Sequence, residues 1–215
     1  MFLESRADDA NTTILPSPAI VLTPSGDWDG NDGKWSTFVI NVGDVDGTGR
    51  GQNFRVLIST SSPVTQVPLQ ARWCGDAECA ANRGVEVFNS KQPLGLQTDS
   101  TTGWTENGIY NIPFPQYWSG GNLNGTWGWS NVGLGMSSAQ SQVLAKQMVV
   151  GNTNEELYMG AFGLAGNPVD SGGGPQATFL ENIASSNQTP SKSYGYTAGA
   201  YYRELHISCI SRPTC

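Results

Sequence analysis

The stretch Phe54-Arg55-Val56-Leu57-Ile58-Ser59-Thr60-Ser61-Ser62 passes from an apolar alternation directly into a run of hydroxyl side chains. Successive side chains of a strand point to opposite faces, so Phe54, Val56 and Ile58 share one face. Leu57 is apolar on the other face, which predicts a strand buried on both sides near its end. The hydroxyl run then predicts a tight turn, because Ser and Thr side chains bond to nearby backbone groups.

Outward from this stretch, strand and turn signals alternate. Residues 1–34 are polar, carry Pro16 and Pro18, and read as an extended N-terminal arm with a turn cluster at 26–33. Trp35–Val42 reads as a strand with Phe38, Ile40 and Val42 on one face. Residues 43–52 are a Gly- and Asp-rich hairpin connection, and 53–60 form the next strand. Further strand signals lie at 64–73, 85–88, 109–135, 147–150, 157–159 and 193–201. One helix is expected, at 175–186, with Phe179, Leu180 and Ile183 on one face and Pro175 in its first turn.

Charged residues make up 13% of the 215 and Gly accounts for 27, against norms of about 25% and about 7%. This balance suits an all-β chain with many turns and a minor helix. A hydrophobic content of 38% is enough for a packed core. The net charge of −7 argues against nucleic acid, whose phosphates need Lys and Arg. No apolar run approaches the ~20 residues of a membrane span. Met1-Phe2-Leu3 is followed at once by Glu4, Arg6, Asp8 and Asp9, so no signal peptide is visible at this N-terminus.

Asn11, Asn124 and Asn187 each open an Asn-X-Thr glycosylation triplet. Cys74 and Cys79 are close enough for a small disulfide loop. Zinc is the alternative, but the lone His206 and the distant Cys209 and Cys215 make a poor tetrahedral set. Cys209 and Cys215 stand either paired or free. The cysteine pair and the triplets favour an extracellular or secretory-pathway location. No cofactor or metal is expected. The Asp-rich segments 27–32 and 44–49 lack the twelfth-position acid of a calcium loop, Phe38 and Arg55 standing there.

The order of landmarks resembles the N-terminal lobe of the pepsin-like aspartic peptidases. Val56-Leu57-Ile58-Ser59-Thr60-Ser61-Ser62 is similar to that family's apolar strand running into Asp-Thr-Gly-Ser-Ser, and Val67-Pro68 to the end of its Trp-Val-Pro element. Cys74 and Cys79 have the spacing of the family's small disulfide loop, and Phe88-Asn89 follows as in its Phe-Asn/Asp-Pro segment. Gly160-Ala161-Phe162-Gly163-Leu164 resembles the Gly-Ile-Leu-Gly-Leu element that braces the active-site turn. The lead-in Trp28-Asp29-Gly30-Asn31-Asp32-Gly33-Lys34-Trp35-Ser36 is similar to that of fungal secreted relatives. The resemblance implies a lobe over 35–202, with a tail at 203–215 that does not continue into a second lobe.

The departures bear on chemistry. The family mechanism uses two carboxylates, one per lobe, sharing a proton around a water. Ser59 stands at the first of those positions, beside Thr60, and Ser61 replaces the small Gly. Gln66 replaces a supporting Trp, and Tyr110 or Tyr117 is the candidate for a flap Tyr. Asp170-Ser171-Gly172 spells a catalytic tripeptide but lacks an apolar strand before it. The resemblance therefore implies a catalytically inactive lobe, binding peptide or protein through its cleft face and prone to self-association. Two alternatives remain open: an active protease that requires a missing lobe or partner, and a β-rich secreted binding domain using Trp104, Trp118, Trp127 and Trp129.

Overall fold

A computed structural model describes residues 19–43, 51–70, 74–88, 90–113, 122–136, 142–154, 157–170 and 174–201. The strands are β1 (Pro24–Asp29), β2 (Trp35–Val42), β3 (Gln52–Ser59), β4 (Thr65–Pro68), β5 (Thr105–Pro113), β6 (Asn122–Leu134), β7 (Gln142–Asn152), β8 (Gly160–Gly163), β9 (Val169–Asp170) and β10 (Pro175–Gln176). Two short helices accompany them, α1 (Ala77–Asn82) and α2 (Phe179–Ser185). The chain is thus mostly β-sheet with a minor helical part, and no described helix is long and apolar enough to cross a membrane.

The large sheet runs in the order β1-β2-β3-β8-β4-β7-β6-β5, and β2 also pairs with β6. That extra pairing closes β2, β3, β8, β4, β7 and β6 into a barrel, which removes their free edges. β2 manages this by dividing its length. Its first half pairs with β1, as Trp28↔Ser36, and its end with β6, as Val42↔Val132. The expected alternation of β2 and β3 appears as burial: Phe38, Ile40, Val42, Phe54 and Val56 are all core residues. All but Phe38 join Val67, Val132, Val149 and Phe162 in one cluster. Full burial of such a side chain is worth about 1.5–3 kcal/mol.

Asp29 ends β1 and is only 8% exposed. Arg55 on β3 grips it with two bonds, Nε to Oδ2 at 3.0 Å and Nη2 to Oδ1 at 3.1 Å. Thr37 Oγ1 donates to the same carboxylate at 2.5 Å. Arg55 also donates to Ala81 O of α1 at 2.7 Å and pairs with Glu86. Burial lowers the affinity of Arg55 for its proton, but the bonds and charges of Asp29 and Glu86 outweigh it and raise it overall. One guanidinium therefore ties β1, β3 and α1 together.

Several expected boundaries move. The arm over 1–34 is not wholly irregular: 24–29 is β1, held by Asp29, and the turn cluster shrinks to the residues after it. Of the strand expected at 64–73, the described part forms β4 (Thr65–Pro68) and residues 71–73 lie outside the described residues, while residues 157–159 precede β8 rather than forming a strand. The helix begins at Phe179, not at Pro175, which pairs instead with Asp170. Thr178 and Glu181 form a reciprocal capping box there, which sets the start. The strand expected at 193–201 has no ladder, only a bridge at Ala200. Its Gly and Ala residues offer little to pack, and it is seated by Tyr196 on Phe38 and Tyr201 on Trp28. The helix α1 was not expected; Asp76 caps it by accepting from Cys79 N–H at 2.8 Å. The tail at 203–215 lies outside the described residues.

Arg55→Met leaves the Asp29 carboxylate buried without its partner. It is expected to cost about 3 kcal/mol, read as a lower urea midpoint. Asp29→Asn combined with it is expected to cost clearly less than the sum of the two single changes.

Candidate functional site

The strand β3 ends at Ser59, and the turn 60–64 carries the chain into β4. β8 lies between them, parallel to β3 (Ser59↔Gly163) and antiparallel to β4 (Gln66↔Ala161). The turn is closed from β8: Leu164 N–H donates to Ser59 O at 2.8 Å and Ala165 N–H to Ser62 O at 3.1 Å. Ser59 Oγ accepts from Ser62 N–H at 3.1 Å, and Ser62 Oγ accepts from Val64 N–H at 3.2 Å. The hydroxyl run thus builds its own turn, as the sequence predicts.

The Gly-x-x-Gly spacing of β8 has a steric cause. A Cβ at Gly163 would stand 2.6 Å from Pro63 C and Val64 N. One at Gly160 would stand 2.9 Å from Gln66 O and from a Val56 methyl. Between them, Ala161 and Phe162 take opposite faces, and Phe162 packs edge-on against Phe179 with ring centroids 4.8 Å apart.

Ser59 is 7% exposed and lines an open cavity of about 850 Å³. Leu57, Met159 and Ala161 form the inner wall beside it, and Trp35, Tyr196 and Tyr201 the rim. The rim residues are 51%, 45% and 54% exposed. Its lining charges are Asp32 and Lys34, and Asp32 accepts from Trp35 Nε1 at 2.9 Å. Burial pushes the Tyr196 phenol above its ordinary value, so it stays neutral at physiological pH. Among the described residues no base is bonded to Ser59 Oγ.

The other sequence candidates fall in different places. Thr60 and Ser61 are exposed in the turn, and Gln66 is buried in β4. Cys74 and Cys79 are joined in a disulfide with Cα atoms 5.3 Å apart, against α1. Trp104 and Trp127 are core residues and Trp129 is half-buried, which removes two of the rings proposed for a binding platform. Asn187 is exposed just past α2. Asp170 is the last residue of the two-residue strand β9 and pairs with Pro175. Tyr110 lies on β5, whose partner is β6. Asn11, Tyr117, Trp118, His206, Cys209, Cys215, Ser171, Gly172 and the segment 44–49 lie outside the described residues, and Asn124 is described only as part of β6. The described residues contain no group of three or more His, Cys, Asp or Glu arranged to hold a metal.

The sequence reading missed the aromatic rim, because Trp35 and Tyr201 come together only through the fold. Arg55 did leave a signal: a charged residue inside an otherwise apolar strand needs a buried partner. No protein-family model matches the chain, and no curated protein matches it.

Gly163→Ala is expected to cost about 2 kcal/mol through overpacking against the turn, while Gly166→Ala, with nothing within 4 Å, should stay within about 0.5 kcal/mol. Ser59→Ala removes the acceptor for Ser62 N–H and is expected to cost about 1 kcal/mol. Urea unfolding measures all three.

Proposed function

We propose that the chain is a pepsin-like aspartic peptidase lobe without catalytic power, which binds peptide through the cavity beside Ser59. The observation that carries this reading is the parallel pairing of β3 with β8, whose following residues bond the turn at Ser59. That arrangement supports equating 59–62 with the family's catalytic turn and 160–164 with the element that braces it. The disulfide between Cys74 and Cys79, with four residues between them as in the family's small loop, agrees with it.

The chemistry follows from residue 59. Acid-type peptide hydrolysis uses a carboxylate pair that shares one proton and polarises a water. A serine hydroxyl at that position stays neutral in acid and cannot supply the anionic member. Ser59 is also committed to Ser62 N–H. What persists is a binding surface: an apolar wall, an aromatic rim, and two opposite charges. Apolar walls with a few polar groups suit side chains of an extended peptide.

The competing reading, a binding domain with a Trp platform, loses support from the burial of Trp104 and Trp127. A protease completed by a partner would still lack the carboxylate at residue 59.

Digestion of a denatured protein at acid pH tests the proposal. No cleavage sensitive to a statine-type inhibitor is expected, from the native sequence or from Ser59→Asp, since Ser61 and Gln66 also depart from the family pattern. Inhibitor-sensitive cleavage by the native sequence would overturn it.

A further inference from the structure

A second, partly open cavity, of about 180 Å³, adjoins the first and shares Ile58 and Tyr196 with it. Phe38, Ile58, Phe162, Phe179, Leu180 and Ile183 form its walls. Residues 189–197 pass over it, with Tyr196 resting edge-on against Phe38 at 5.9 Å. Thr189, Ser191 and Ser193 stand at its mouth. The Ser191 and Ser193 hydroxyls are 2.5 Å apart, and Thr189 Oγ1 donates to Ser191 O at 3.1 Å. None of the described residues lining this cavity is charged.

We infer that this cavity binds a small neutral molecule made of one apolar ring and a single hydroxyl, a phenol in chemical class. Size is the first argument. An apolar cavity of about 150 Å³ takes benzene, and this one leaves room for a ring with a substituent. The walls supply the second: six apolar side chains, three of them aromatic, favour a ring and contribute offset or edge contacts. The mouth supplies the third. Hydroxyl groups both donate and accept, so they match a ligand hydroxyl in either role. Charge supplies the last, because an ion would be desolvated there without a counter-ion. A bound ring would also brace Ile58 and Phe162, one residue before the ends of β3 and β8.

The inference goes beyond the peptide-binding proposal and does not depend on it. It concerns a different cavity, and the digestion experiment has no bearing on it.

Titration of the full chain with 4-methylphenol, followed by calorimetry and by thermal unfolding, tests it. One saturable site is expected, with Kd below about 1 mM. At tenfold excess over Kd the melting temperature should rise by about 3 °C. Toluene, which lacks the hydroxyl, should bind about fivefold more weakly. The anion 4-methylbenzoate should bind at least about 100-fold more weakly. Methyl NMR shifts should centre on Leu180 and Ile183, which line this cavity and not the one beside Ser59, in the unsubstituted protein, so the site is located even where a variant fails to fold. Leu180→Trp should fill the cavity and abolish binding. Absence of saturable binding overturns the inference, as do methyl shifts elsewhere. Equal affinity for 4-methylbenzoate, or for toluene, overturns the neutral hydroxyl-bearing class.

Discussion

The fit of β8 between β3 and β4 holds the rest of the architecture in place. Two residues without a Cβ set that fit: Gly163 lets the strand lie against the β3-to-β4 turn at backbone distance, and Gly160 lets it lie against β4 at Gln66. Once it is seated, β3 and β4 are separated by one strand rather than paired to each other, although they are nearly adjacent in sequence. The remaining strands follow from this insertion. β7 pairs with the free edge of β4, β6 with β7, and β6 returns to β2. Closure then depends on β2 serving β1 and β6 with different halves of its length.

The Arg55 network performs a different task. Barrel strands are held by ladders on both edges, but β1 has a partner on one edge only among the described residues. The bidentate bond from Arg55 to Asp29 adds a fixed, directional attachment. It explains how a charged side chain sits within the apolar run of β3 at tolerable cost: the carboxylates of Asp27, Asp29 and Glu86 and a carbonyl of α1 surround it. The same strand therefore carries a core face, a polar anchor and the turn residue Ser59, and residue alternation keeps the core face apart from the face that Arg55 and Ser59 share.

The parts of the fold legible in the sequence were those set by local rules. Alternation placed Phe38, Ile40 and Val42, and Phe54 and Val56, in the core, because strand geometry leaves no other choice once one face is buried. The hydroxyl run announced a turn for the same local reason. Errors arose where two local signals competed. Pro175 suggested the helix start, but the helix begins at the Thr178–Glu181 box, a signal not read from the sequence, which satisfies two orphan N–H groups. The segment 193–201 alternates like a strand, yet its small residues left it as an extended strap with a single bridge at Ala200.

Taken alone, the sequence determined that residue 59 is a hydroxyl and not an acid, that the chain is rich in turns, and which strand faces are apolar. These depend on residue identity and on the period of two, which need no knowledge of neighbours. Tertiary structure alone decided that β8 enters between β3 and β4, that Asp29 meets Arg55, and that Trp35, Tyr196 and Tyr201 share a cavity rim. Contacts between residues far apart in the chain depend on the packing of whole elements, and no local pattern encodes that.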